Sequence, residues 1–213
     1  MNINQKIDHT LLRPDTSAVG IEKLCQEAIE HDFFAVCVPP YFVSQAVQEL
    51  QSSTVKVATV IAFPYGFTPT LAKVEEIRRG IDEGADEFDV VINLGALKSG
   101  HWNEFRSDLD RIVMAVNLRN KTSKIIIEIT QLSPKELRQV CQICNDIEPT
   151  FVKTSTGLMG GATVDHMQYL RASLKPSIKL KASGGIRTKA DAEALIAAGA
   201  DRLGTSAGPK LIL

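Results

Sequence analysis

The sequence predicts a single-domain (β/α)8 barrel, the TIM-barrel architecture, on three observations. Short β-branched runs alternate with amphipathic helical stretches from one end of the chain to the other, eight such runs are present, and no proline-, glycine- or serine-rich linker interrupts them over 213 residues. Strand–helix alternation calls for a parallel sheet with both faces covered, and eight repeats is the number that closes such a sheet on itself. About 200–250 residues is the usual length of this barrel as one domain.

The strands are expected at residues 7–10, 34–38, 56–62, 87–93, 124–130, 150–154, 178–182 and 202–205. Between them, "VGIEKLCQEAIEHD", "TLAKVEEIRRGIDEG", "EFRSDLDRIVMAVN", "SPKELRQVCQICND" and "TKADAEALIAAG" carry apolar residues at helical spacing. "IDEGADEFDVV" and "IAAGADRLGTS" repeat one design: a helix ends, turns through Gly-Ala-Asp and enters a strand, with Gly84 and Gly199 suited to the left-handed position that closes a helix. The eighth helix is short, because "TSAGPKLIL" holds Pro209 and ends soon after. A doubly wound open sheet is the alternative. It normally carries G-x-G-x-x-G after its first strand, and nothing of that kind follows residues 7–10 or 34–38.

Composition narrows the function classes. A hydrophobic content of 44% supports a sizeable core, and 24 basic against 25 acidic residues leave no overall charge to draw in nucleic acid or an anionic membrane. An anionic ligand must therefore be held locally. No charged-then-apolar leader and no apolar run of about 18 residues is present, so a soluble cytoplasmic protein is expected. Cys141 and Cys144 form a C-x-x-C pair, but they fall in a helical pattern with Ser133 as N-cap followed by Pro134 and Glu136, without a second ligand pair. The histidines at 9, 31, 101 and 166 have no metal-ligand spacing, and no metal or cofactor is expected. A homo-oligomer stays open, since "HWNEF" and the helix faces suit solvent and interface equally.

In this fold chemistry sits at the C-terminal ends of the strands. Those ends carry Asp8 and Thr10, Cys37, Phe63, Asp89 and Asn93, Glu128 and Thr130, Lys153 and Ser155, Lys181 and Ser183, then Thr205 and Ser206. Asp89, Lys153 and Lys181 stand out as ionisable groups inside apolar strands. A lone strand lysine snorkels to solvent or pairs with a carboxylate for structural reasons. Two lysines on neighbouring strands are harder to explain that way, because at ~6 Å and an effective dielectric of ~20 their charges repel by roughly 3 kcal/mol. Desolvation acts in the same direction. One of them then gives up its proton, and a neutral amine attacks carbonyls to form a Schiff base, an electron sink for making or breaking the adjacent carbon–carbon bond. Lys153 or Lys181 is that amine.

A ligand's phosphate has an expected place too. "SGGIRT" after the seventh strand and "GTSAG" after the eighth occupy the usual phosphate-binding loops. Gly184 and Gly185 let backbone N–H groups approach an anion, Arg187 adds charge-assisted hydrogen bonds, and Gly204 and Ser206 extend the cradle.

At this point the residues resemble a known family. "DHTLLRPD", "AVCVPP", "VATVIAFPYG", "GADEFDVVINLGALKSG", "FVKTSTG", "GGAT", "KASGGIRT" and "AGADRLGTS" are similar to stretches of deoxyribose-phosphate aldolases, across nearly the whole chain. The resemblance implies a class I aldolase on a (β/α)8 barrel, cleaving 2-deoxyribose 5-phosphate reversibly into acetaldehyde and glyceraldehyde 3-phosphate without a metal. It implies Lys153 as the Schiff-base former, Lys181 as the neighbour that perturbs it and assists proton transfer, and Asp89 as their partner in shuttling protons through a water. It also implies that Asp8 and Thr10 shape the sugar-binding side, that Cys37 lies near the site, and that Gly157, Gly184, Gly185, Arg187, Gly204 and Ser206 hold the phosphate. Ala207 after Ser206, Leu158 where some relatives have a basic residue, and the short C-terminus depart from the family pattern and bear on phosphate affinity. Two rivals stand beside this reading: another lysine-dependent barrel aldolase, and a sugar-phosphate-binding protein without turnover. Lys179 shares the parity of Lys181, which places it one layer deeper, exposed at the barrel bottom or on a bulge.

Overall fold

The computed structural model describes residues 3–212. Its eight strands form one closed parallel barrel in sequence order: β1 (Ile7–Thr10), β2 (Ala35–Val38), β3 (Lys56–Ile61), β4 (Glu87–Val91), β5 (Thr122–Ile126), β6 (Phe151–Lys153), β7 (Lys179–Ser183) and β8 (Arg202–Thr205). The helices are α1 (Ala18–Glu30), α2 (Val43–Glu49), α3 (Thr70–Asp82), α4 (Leu94–Lys98), α5 (Trp102–Asn117), α6 (Pro134–Ile147), α7 (Val164–Ser173), α8 (Lys189–Ala197) and the short α9 (Gly208–Ile212). One hydrophobic core cluster runs between barrel and helices, from Ile3 to Leu211.

Local chemistry explains the helix starts. Ser17, Ser133, Thr163 and Thr188 each accept a backbone N–H from the first turn of α1, α6, α7 and α8, and Ser133 with Glu136, like Thr188 with Asp191, forms a reciprocal capping box. Cys141 and Cys144 are buried, unoxidised core residues of α6, and burial pushes the Cys141 thiol up to about 12. The expected strand at 87–93 stops at Val91, because Asn93 turns out to cap α4 by accepting from the Ala96 N–H. The strand expected at 124–130 spans Thr122–Ile126 instead, and Glu128 adopts a left-handed φ of 47° that ends extended structure.

Alternation along each strand divides outside from inside. Val36, Phe88, Val90, Ile125, Ile127 and Leu180 face the helices in the main core. The opposite set faces the barrel interior, aligned by the pairings Asp89↔Lys124, Ile126↔Lys153, Lys153↔Lys181 and Lys181↔Arg202. Branched apolar side chains usually fill such a lumen. Here one side is apolar, where Cys37, Ala58 and Val60 pack with Leu12 and Phe63. Elsewhere, beside Ile126, buried charged side chains take much of the space.

Candidate active site

Seven charged side chains meet inside the barrel: Asp8, Glu87, Lys124, Asp89, Lys153, Lys181 and Arg202, all buried. One oxygen of Asp89, Oδ2, accepts from both Lys153 and Lys181 at 2.7 Å. Its other oxygen accepts from Lys124 at 2.6 Å. Lys124 also reaches Glu87 at 2.6 Å. Asp8 takes Lys181 on Oδ2 and Arg202 on Oδ1, the latter at 2.6 Å. The Arg202 guanidinium lies 3.5 Å from the centre of the Phe34 ring, which closes the cluster from below.

Four potential cations thus face three carboxylates in a volume water does not solvate. Unpaired charge is costly there, so one amine is under pressure to be neutral. Burial is the largest influence on Lys153; attraction to Asp89 opposes it and repulsion from Lys181 adds to it, and the net effect lowers its proton affinity. Burial also acts on Lys181, but Asp8 and Asp89 outweigh it and raise that lysine above its ordinary value. Asp89, desolvated yet surrounded by Lys124, Lys153 and Lys181, is held well below the usual carboxylate range. The expected repulsion between the lysines is therefore present, ranked behind desolvation. Lys153 is the least deeply buried of the three lumen lysines, its side chain 4% exposed against 0% for Lys124 and Lys181.

The other expected site residues fall in distinct places. Asp8 is fully buried against Lys181 and Arg202, and Thr10, two residues nearer the mouth at the C-terminal end of β1 and half-buried, donates its hydroxyl to the Asp8 carbonyl. Cys37 is buried in the apolar side of the lumen, and its thiol is raised chiefly by desolvation. Gly157, Gly184 and Gly185 lie on the β6–α7 and β7–α8 loops. Gly184 adopts φ +88°, and a Cβ there would stand 2.7 Å from the Gly160 carbonyl, so only glycine lets the two loops touch. Arg187 and Ser206 are exposed on the rim, and among the described residues the Arg187 guanidinium has no ion-pair partner. A Cβ at Gly204 would sit 3.0 Å from Ser183 Cβ and 3.1 Å from Lys181 Cε, so glycine at this position leaves room for the Lys181 side chain. Lys179 is exposed at the start of β7, with its amine 5.7 Å from the Phe151 ring centre.

Sequence reasoning missed Glu87, Lys124 and Arg202. All three stand near strand starts, where a charge ordinarily points to solvent at the barrel bottom. Their inward parity with Asp89 and Lys181 was the available signal. On the apolar side, a cavity of about 510 Å³ opens between the loops after β1, β2 and β3, bordered by Leu12, Pro39, Val60 and Phe63. Among the described residues no group of three His, Cys, Asp or Glu side chains is arranged to hold a metal, and no helix is long and apolar enough to cross a membrane.

This arrangement has relatives. Residues 3–210 match the model of the DeoC/LacD family aldolases. A deoxyribose-phosphate aldolase of Thermococcus gammatolerans is 44% identical over 215 residues, covering 100% of this chain and 96% of the relative. One from Streptococcus gordonii is 46% identical over 209 residues, covering 98% and 94%. A solved structure described as a putative deoxyribose-phosphate aldolase from Coccidioides immitis superposes with a TM-score of 0.94 at 38% identity, over 99% of this chain and 84% of that one. The tetrameric deoxyribose phosphate aldolase of Aeropyrum pernix gives 0.92 at 30% identity, over 99% and 89%. With the match running across the whole barrel, this chain belongs to the DeoC/LacD family of aldolases.

Proposed function

We propose that this aldolase cleaves 2-deoxy-D-ribose 5-phosphate reversibly to acetaldehyde and D-glyceraldehyde 3-phosphate through a Schiff base on Lys153. The observation that carries the reading is the uneven charge of the lumen, in which Lys153, the least deeply buried of its lysines, is the amine whose proton affinity is lowered. Neutral Lys153 attacks C1 of the open-chain sugar, water leaves, and a protonated imine forms. A base removes the proton of the C3 hydroxyl, the C2–C3 bond breaks, and its electron pair moves into the C1–C2 enamine while C3 becomes the aldehyde of glyceraldehyde 3-phosphate. Asp89 and Lys181, joined through one oxygen, relay that proton by way of a water and return one to C2. Water then hydrolyses the imine, releasing acetaldehyde and restoring the amine. Gly157, Gly184, Gly185, Arg187 and Ser206 lie toward the distal phosphate.

Borohydride reduction in the presence of acetaldehyde, followed by peptide mass spectrometry, tests this. An ethyl group on Lys153, with trapping and cleavage both lost in Lys153→Ala, is expected. A label on Lys181 or Lys124 would contradict the assignment.

A further inference from the structure

Five carboxylates are buried among the described residues: Asp8, Glu87, Asp89, Asp108 and Glu128. The first four are ion-paired, Asp108 with Lys73. Glu128 has no cation within salt-bridge distance among the described residues, although it is fully buried. Its Oε2 accepts from the Thr156 N–H at 3.0 Å and from the Thr156 hydroxyl at 2.6 Å. Among the described residues its Oε1 is buried with no hydrogen-bond partner, and so is the Oγ of Ser155. Buried polar atoms are nearly always satisfied, and a bare carboxylate oxygen is among the groups least tolerated without a donor. The backbone at Glu128 is left-handed, at φ 47° and ψ 59°, a region that disfavours any side chain.

Position gives the two orphaned atoms a meaning. Ile126 pairs with Lys153, the Ile127 N–H donates to the Lys153 carbonyl, and the Ile129 N–H donates to the Thr154 carbonyl. Glu128 and Ser155 therefore leave β5 and β6 immediately beyond Lys153, on the mouth side. A carboxylate oxygen that only accepts and a hydroxyl that accepts or donates, both leaving their strands on the mouth side of Lys153, suit a ligand O–H.

We infer that Glu128 and Ser155 bind the hydroxyl on the α carbon of the acceptor aldehyde, the group that becomes the C4 hydroxyl of the sugar, and so make the site selective for 2-hydroxyaldehydes. This rests on the aldolase reading above. Thr156 holds the carboxylate in place, and Oε1 receives the substrate hydroxyl.

Acetaldehyde addition to lactaldehyde and to propanal isolates the effect, because these acceptors differ by one hydroxyl. Glu128→Gln keeps an oxygen for Thr156 and replaces the free acceptor by an NH2 donor. The ratio of kcat/KM for lactaldehyde to that for propanal should fall about 10- to 100-fold, the range for a lost hydrogen bond to a charged group. Ser155→Ala, which carries the same test should the first variant not fold, should lower the ratio by about threefold to tenfold. Lys153 in both variants should still take up the acetaldehyde label, since the donor alone forms the imine. An unchanged ratio, whether both acceptors lose equally or neither does, with trapping intact, overturns this inference alone. Absence of any label on Lys153 in the parent overturns the aldolase reading and this inference with it.

Discussion

Two buried lysine sites in this molecule invite comparison, one outside the barrel and one inside. Between α3 and α5, Lys73 donates to Asp108 at 2.8 Å and to the Val91 carbonyl at 3.1 Å, while the other Asp108 oxygen accepts from Thr70 at 2.7 Å. One cation meets one anion, and the donors and acceptors are matched. Inside the barrel, Lys124, Lys153, Lys181 and Arg202 share only Asp8, Glu87 and Asp89. Both sites are dry, so burial alone does not separate a structural lysine from a reactive one. Charge balance does: the matched pair ties helices together, and the surplus cation becomes an amine with a lowered hold on its proton.

The largest effect expected from breaking the comparison falls on stability. Lys73→Met leaves Asp108 buried without its cation, a change that costs about 3–5 kcal/mol. For a domain of this size that lowers the melting temperature by roughly 10 °C, read by calorimetry. The pH profile of borohydride trapping should keep the parent's midpoint, because Lys73 is no part of the lumen's charge count. Lys181→Leu reverses the pattern. It should lower turnover by about 10²–10⁴-fold, the range associated with a lost proton-transfer group, while circular dichroism shows a folded barrel.

A smaller effect belongs to the rim. Arg187 is exposed and has no carboxylate of its own, which leaves its guanidinium available to a dianion. Arg187→Ala should reduce kcat/KM for deoxyribose 5-phosphate by about 10- to 100-fold, and that for free deoxyribose far less. Equal losses on both substrates would move the phosphate elsewhere.

These sites were unequally legible in the sequence. The barrel was readable because each strand is a short β-branched run and each connection a helical one, and the turns at Gly84 and Gly199 repeat. Asp89, Lys153 and Lys181 were readable because charge is out of place within apolar strands. Lys124 in "TSKIII" and Arg202 in "DRLGT" were not, since a charge at a strand's first residues is also what solvent at the barrel bottom would select. The register, with Lys124 beside Asp89 and Arg202 beside Lys181, shows that their parity turns them inward. Glu128 was visible as a polar strand end, but its missing cation is a property of three dimensions. The crowding of Gly204 against Ser183 and Lys181 depends on the pairing of β7 with β8 and is not visible in the sequence.

Charge balance in the lumen sets the protonation of Lys153. The direct measurement is the pH dependence of borohydride trapping by acetaldehyde in the parent, in Lys181→Leu and in Asp89→Asn, because trapping follows the neutral amine, whose fraction rises as pH climbs through its lowered value. Removing Lys181 removes a repelling charge, so Lys153 holds its proton more tightly and the profile should move to higher pH. Removing the charge of Asp89 removes an attraction, so the profile should move to lower pH, even though turnover falls in both variants. Opposite shifts are the predicted result. Profiles that keep the parent's midpoint in both variants, or that move in the same direction, would contradict the account and leave desolvation alone to tune the amine.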